Sequence, residues 1–155
     1  MYKTLPLLFL VVLFANEHPQ DERILKYNSK IEILKDGTID VKEEIIIAVK
    51  GEKIQRGITR GFPTPIVDTD GNKITQLIQV NEVLRDSLPE PYFVEQSENQ
   101  RVIYVGDENI FLNPGQYTYT LNYQTNNQIR LSDNIYELYF NAIGYDLSVP
   151  IDEIK

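Results

Sequence analysis

From Arg23 onward, apolar residues recur at every second position and not at every third or fourth. Between Thr38 and Val49 the odd positions carry Ile39, Val41, Ile45, Ile47 and Val49. Glu43 is the one polar member of that set, and the even positions begin polar with Asp40 and Lys42. A period of two predicts a half-buried strand. In the segment before it, Tyr27, Ile31 and Ile33 alternate with Asn28, Lys30 and Glu32, and the intervening Asp36-Gly37 predicts a tight hairpin turn.

The pattern continues along the chain. Asp68-Thr69-Asp70-Gly71-Asn72 predicts a turn into a strand over 73–84, and Tyr92–Glu95, Arg101–Val105, Tyr117–Tyr123 and Tyr136–Ile143 are further strands rich in Tyr, Val, Ile or Phe. About eight short strands with turns every 8 to 12 residues predict an all-β fold, an antiparallel β-sandwich of immunoglobulin-like or Greek-key type. Tyr117, Tyr119, Leu121 and Tyr123 share one face of their strand, and the Pro114-Gly115 turn before them resembles a tyrosine corner, in which the phenol bonds upstream backbone. Exposed, that face would stack against sugar rings; buried, it is aromatic core, the reading favoured by Leu121 among the tyrosines.

Charge narrows the partners. Lys and Arg total 15 against 23 Asp and Glu, and Lys3 is the one charge in the first fifteen residues, so the remainder is still more acidic than the net −8 of the whole. Such a surface repels phosphate backbones and excludes nucleic acid as a partner. After Lys3, the unbroken apolar run Leu5–Ala15 has the layout of a signal peptide at residues 1–15, with cleavage expected after Ala15. It is shorter than the ~20 residues of a spanning helix. Residues 16–22 are expected to be a flexible lead-in to one domain over 23–155. The chain has no cysteine, which excludes both a lipid-modified cysteine and disulfides and leaves an exported domain to its hydrophobic core.

The same inventory limits the chemistry. The single histidine, His18, lies in the lead-in, so Cys-His and Ser-His-Asp machinery and a zinc site of His or Cys ligands are not expected. No Gly-rich phosphate loop follows a strand, and no cofactor is expected. Asp68, Asp70 and Asn72 have the carboxylate density of a weak calcium site without its ligand spacing, and a plain turn explains them. Neighbouring carboxylates such as Glu43-Glu44 point to opposite faces of a strand, so a glycosidase pair would have to come from different strands.

Glu43 is the residue that demands a partner, because a lone inward carboxylate is costly. The segment Arg56-Gly57-Ile58-Thr59-Arg60-Gly61-Phe62-Pro63 states a similar unit twice, and its glycines and proline are expected to interrupt the sheet between strands. Ile58 and Phe62 share a phase directed at the core. Arg56 and Arg60, about 13 Å apart on an extended chain, cannot both meet Glu43. A second place for an arginine is the row Glu137, Tyr139 and Asn141, opposite the apolar even positions. These six residues form a candidate polar cluster, read either as a register-fixing ion pair or as a ligand site.

The segments together resemble the domain of unknown function 2207 family, YciQ-type predicted bacterial membrane proteins. The resemblance runs from about Glu22 to Asp152. It is carried by Asp36-Gly37 with Val41-Lys42-Glu43, by the Arg56–Pro63 unit, and by Asp70-Gly71 and Gly106-Asp107. Pro114-Gly115-Gln116-Tyr117-Thr118-Tyr119 and Glu137-Leu138-Tyr139-Phe140-Asn141 complete it. Phe140 stands where the family usually has Trp, and Gly61 where it often has an acid or amide. The resemblance implies an exported β-rich domain, a leader and a membrane anchor in a protein that continues beyond this stretch, and it implies no reaction. The expected function is a non-catalytic interaction module of an envelope protein on the periplasmic or extracellular face, partnered by an envelope protein. Alternatives are binding of carbohydrate or cell-wall polymer and an enzyme with an unrecognised carboxylate site.

Overall fold

The computed structural model describes residues 21–67, 70–144 and 148–155. The leader, residues 16–20 with His18, and Asp68 lie outside the described residues. Among the described residues there are twelve strands and no helix. Five strands form one antiparallel sheet in the order β1 (Arg23–Ile33), β2 (Ile39–Val49), β10 (Gly115–Thr125), β6 (Ile78–Arg85), β7 (Leu88–Pro89). Three form a second, in the order β3 (Gly57–Pro63), β9 (Gln100–Gly106), β8 (Tyr92–Gln96). The pairs β4 (Ile66–Val67) with β5 (Lys73–Ile74) and β11 (Ile129–Ser132) with β12 (Ile135–Leu138) stand apart. The all-β expectation holds. The larger count comes from two-residue pieces, from β3 and from β11.

The alternation in β2 sets the core. Its odd positions Ile39 to Val49 are buried, and its neighbours bring inward residues opposite them: Tyr27 of β1 and Tyr119 of β10 both face Ile45, and Leu121 faces Glu43. From the second sheet come Phe62, Ile103 and Val105, and the Phe62 ring meets Tyr123 edge-on at 5.2 Å between centroids. With no disulfide, burial of these side chains, about 1.5–3 kcal/mol each, is what holds the two sheets together.

The hairpin at Asp36-Gly37 forms as expected. Gly37 has φ +82°, and the Thr38 N–H donates to the Asp36 carboxylate at 3.0 Å. Tyr117 forms the upstream bond expected of a tyrosine corner, its hydroxyl donating to the Asn113 carbonyl at 3.0 Å. Tyr119 and Tyr123 are fully buried, so this face is core and offers no platform for sugars. The outer edge of β1 is covered by the chain's last residues running parallel to it, with the Ile24 N–H on the Pro150 carbonyl and the Asp152 N–H on that of Ile24, both at 2.9 Å. Among the described residues no helix is long and apolar enough to cross a membrane.

Three segments depart from the sequence expectation. Residues 57–63 do not interrupt the sheet; they are β3, paired with β9 along its whole length. Gly57 stands opposite Gly106, and a Cβ on Gly57 would lie 1.8 Å from the Val105 carbonyl oxygen and one on Gly106 2.0 Å from that of Arg56, just before β3, so these glycines permit a close approach of two backbones. Pro63 sits harmlessly at the strand's end. The strand expected over 73–84 divides into β5 and β6, because Gln76 turns inward to donate to Thr125 Oγ1 at 2.9 Å and the Leu77 N–H donates to the Asn126 side chain at 2.8 Å. The strand expected over 136–143 stops at Leu138 and pairs with the unanticipated β11 through a turn in which Asp133 and Asn134 both have positive φ, the geometry that suits these residues.

Candidate functional site

Glu43 occupies an inward position of β2, held between β1 and β10, and Arg60 an inward position of β3 between Ile58 and Phe62. Packing of the two sheets therefore brings a carboxylate at 0% exposure against a guanidinium at 2%. The Arg60 Nε–H donates to both carboxylate oxygens, at 2.9 and 3.1 Å. Nη1 donates to the Gly61 carbonyl at 2.8 Å, and Nη2 to the Asn141 carbonyl at 2.7 Å and to the Tyr123 hydroxyl at 3.3 Å. That hydroxyl in turn donates to Glu43 Oε1 at 2.6 Å. The guanidinium lies 4.4 Å from the Phe62 ring centroid. On another side it rests against Gly144, where a Cβ would come within 2.9 Å of Nη1.

The electrostatics follow from burial and neutralisation. Burial disfavours the charged guanidinium, but Glu43 first, then Tyr123 and Tyr27, outweigh it and raise the Arg60 pKa above its ordinary value. Burial and then the Glu43 charge push the Tyr123 and Tyr27 phenols well up, so both stay protonated. The Glu43 carboxylate is thus occupied by two donors and its charge is offset. The cluster is a clamp between the two sheets, and it leaves no accessible base or nucleophile.

The other predicted members lie elsewhere. Arg56 precedes β3, is exposed, and stacks at 4.1 Å over Phe111; it meets neither Glu43 nor Glu137. Glu137 is exposed on β12 opposite Arg130, and the Arg130 guanidinium lies 3.7 Å from the Tyr139 ring centroid. Asn141 enters the clamp through its backbone carbonyl, while its side chain accepts from the Gly144 N–H at 3.1 Å. The expected row of Glu137, Tyr139 and Asn141 is therefore not a row, because the strand ends before two of its members. Asp70 and Asn72 are exposed, and among the described residues no group of three His, Cys, Asp or Glu could hold a metal.

Sequence reasoning missed three neighbours in the clamp, Tyr123, Tyr27 and Gly144, and one buried carboxylate outside it, Glu22. Tyr123 shares the inward phase of β10, so its presence in the core was legible and its diagonal relation to Glu43 was not. Glu22, expected in the lead-in, is buried, and its carboxylate accepts from the backbone N–H groups of Lys50, Gly51, Glu52, Lys53 and Ile54. Burial alone would raise its pKa, but the bonds from this loop prevail and hold it at about 2.

Residues 23–155, the whole of the described fold apart from its first two residues, match a family described as a predicted membrane protein N-terminal domain, DUF2207. The chain belongs to this family. The DUF2207 chain is 28% identical over 124 residues to the uncharacterized protein YciQ of Escherichia coli K12, a match that covers 80% of the chain and 20% of that protein. It therefore spans about one fifth of the length of this relative. Among solved structures, a native yeast LTA4 hydrolase superposes with a TM-score of 0.46 at 15% identity, covering 70% of the chain and 15% of the hydrolase. A native leukotriene A4 hydrolase from Saccharomyces cerevisiae gives 0.43 at 15% identity, covering 70% and 16%. Likenesses this distant assign the DUF2207 chain no activity.

Proposed function

We propose that this DUF2207 domain is a non-catalytic interaction module on the extracytoplasmic face of a membrane-anchored envelope protein. One observation supports the reading above others: the Glu43–Arg60 chemistry is directed inward, and most of one apolar hairpin face is directed outward. On the hairpin β11–β12, Ile129, Leu131, Tyr136 and Leu138 share one face by register, and Leu131, Tyr136 and Leu138 are 53%, 77% and 42% exposed. Between this face and the β1–β2 turn, with its exposed Ile33, runs a groove of about 410 Å³. Contiguous apolar exposure of this kind marks surfaces that are covered in use. The export assignment rests on the signal-peptide layout of residues 1–15 and on the membrane character of the family.

The partner that suits this groove, apolar apart from Lys35, Asp36 and Glu137, is a protein segment with aliphatic or aromatic side chains. The tyrosine face of β10, the platform expected for a wall polymer, is core. The test is site-specific photo-crosslinking from position 136 in the full-length, membrane-anchored protein. A protein adduct that is lost in Leu131→Ser/Leu138→Ser is the expected result. Recovery of wall polymer alone, or adducts indifferent to those substitutions, would overturn the proposal.

A further inference from the structure

A cavity of about 160 Å³ lies between the two sheets, beside the Glu43–Arg60 clamp. Its walls are branched aliphatic side chains, Ile45 and Ile47 from β2, Ile58 from β3 and Ile54 from the loop before it, and Tyr27 and Arg60 line it as well. At the rim, the exposed Lys53 ammonium donates to the Ser148 carbonyl at 3.3 Å. An engineered apolar cavity of about 150 Å³ in another protein is large enough to bind benzene. The space here is comparable, and its lining includes the exposed Lys53 and Ser148.

Tyr27 gives this cavity a polar feature. Its hydroxyl is buried and finds no hydrogen-bond partner. Glu43 and Arg60 are its charged neighbours, and neither meets it in hydrogen-bonding geometry. An unpaired buried donor is disfavoured, and a bound acceptor relieves it. Charge limits the ligand further. Arg60 is neutralised by Glu43, no carboxylate is among the described lining residues, and the Lys53 ammonium stands at the exposed rim, so among the described residues no uncompensated charge faces the interior.

We infer that the inter-sheet cavity is a binding site for a compact, uncharged aromatic or branched aliphatic molecule carrying one hydrogen-bond acceptor, which the Tyr27 hydroxyl engages. The site is separate from the hairpin face and stands or falls independently of it. The phenol remains a donor across the physiological pH range, because burial and Glu43 keep it protonated.

The experiment titrates the isotope-labelled full chain with acetophenone, toluene and benzoate and follows amide resonances by NMR. Acetophenone and toluene are expected to shift Ile45 and Ile58, and benzoate to bind more weakly than acetophenone. Tyr27→Phe should weaken acetophenone by about fivefold while leaving toluene unchanged, the loss of one neutral hydrogen bond. That variant removes an unpaired hydroxyl and should keep its fold. Ile58→Phe, which fills the cavity from β3, should abolish both apolar probes. Absence of shifts at these residues, an equal effect of Tyr27→Phe on both probes, or benzoate binding as tightly as acetophenone would overturn the assignment.

Discussion

Removing one side of the Glu43–Arg60 clamp tests whether it serves folding. In Arg60→Ala, Glu43 stays at 0% exposure with one donor, Tyr123, and the Gly61 and Asn141 carbonyls lose their partner. Stranding one ion of a buried pair costs about 3–5 kcal/mol, against a total stability of about 5–15 kcal/mol for a domain. For a chain of this size each kcal/mol moves the melting temperature by about 2–4 °C, so Arg60→Ala should melt roughly 6–20 °C lower by circular dichroism. Replacing both charges by apolar residues, Glu43→Leu with Arg60→Met, removes the uncompensated ion and should recover most of the loss, with a coupling of about 2 kcal/mol or more in the double-mutant cycle. A melting temperature within about 2 °C of the wild type for Arg60→Ala would refute the clamp and return the pair to candidacy as a ligand site.

Three further outcomes follow from named contacts. The Glu22 carboxyl is held at about 2 against an ordinary 4.5, so the stability it gives is complete above pH 4.5 and is lost as pH falls towards 2. Glu22→Gln should cost on the order of 2 kcal/mol in urea unfolding at pH 7, with the gap narrowing towards pH 3, and a pH-independent gap would contradict the assignment. Gly57→Ala places a Cβ 1.8 Å from the Val105 carbonyl oxygen, whereas Gly37→Ala meets nothing within 4 Å. The first should lose at least about 3 kcal/mol or fail to fold and the second about 1 kcal/mol by thermal unfolding; equal losses would refute the close approach. Of the ten tyrosines, Tyr27 and Tyr123 should ionise only as the protein unfolds above pH 10, since their raised values give stability that is present below pH 10 and lost above it. An absorbance titration in which all ten ionise near pH 10 with the fold intact would sink this reading.

The legible parts of this fold are those that depend on local period. Alternation in Ile39–Val49 identified β2, its inward face and the anomaly at Glu43; Asp36-Gly37 marked a turn with the expected backbone geometry, and Pro114-Gly115 marked the start of β10 and the upstream bond of Tyr117. The parts that depend on which strands pair were closed to it. Arg60 could be matched to Glu43 or to Glu137 because the sequence carries no sheet assignment, and the order β1-β2-β10-β6-β7 is a non-local property. The Arg56–Pro63 unit shows the mechanism of the error most clearly. Gly57 and Gly61 with Pro63 read as breakers because glycine ordinarily weakens a strand, yet Gly57 is needed where two backbones approach too closely for a side chain, which is visible only once Gly106 stands opposite. Within that strand, Ile58, Arg60 and Phe62 keep the same inward period that β2 has, with one charge among apolar residues in each. Two strands with a single inward charge of opposite sign pair favourably across the core in one relative placement of the two sheets. Any other placement buries two unpaired ions. The pair as a whole therefore selects one sheet packing, even where its net worth against an apolar pair is small and only the loss of one partner is costly.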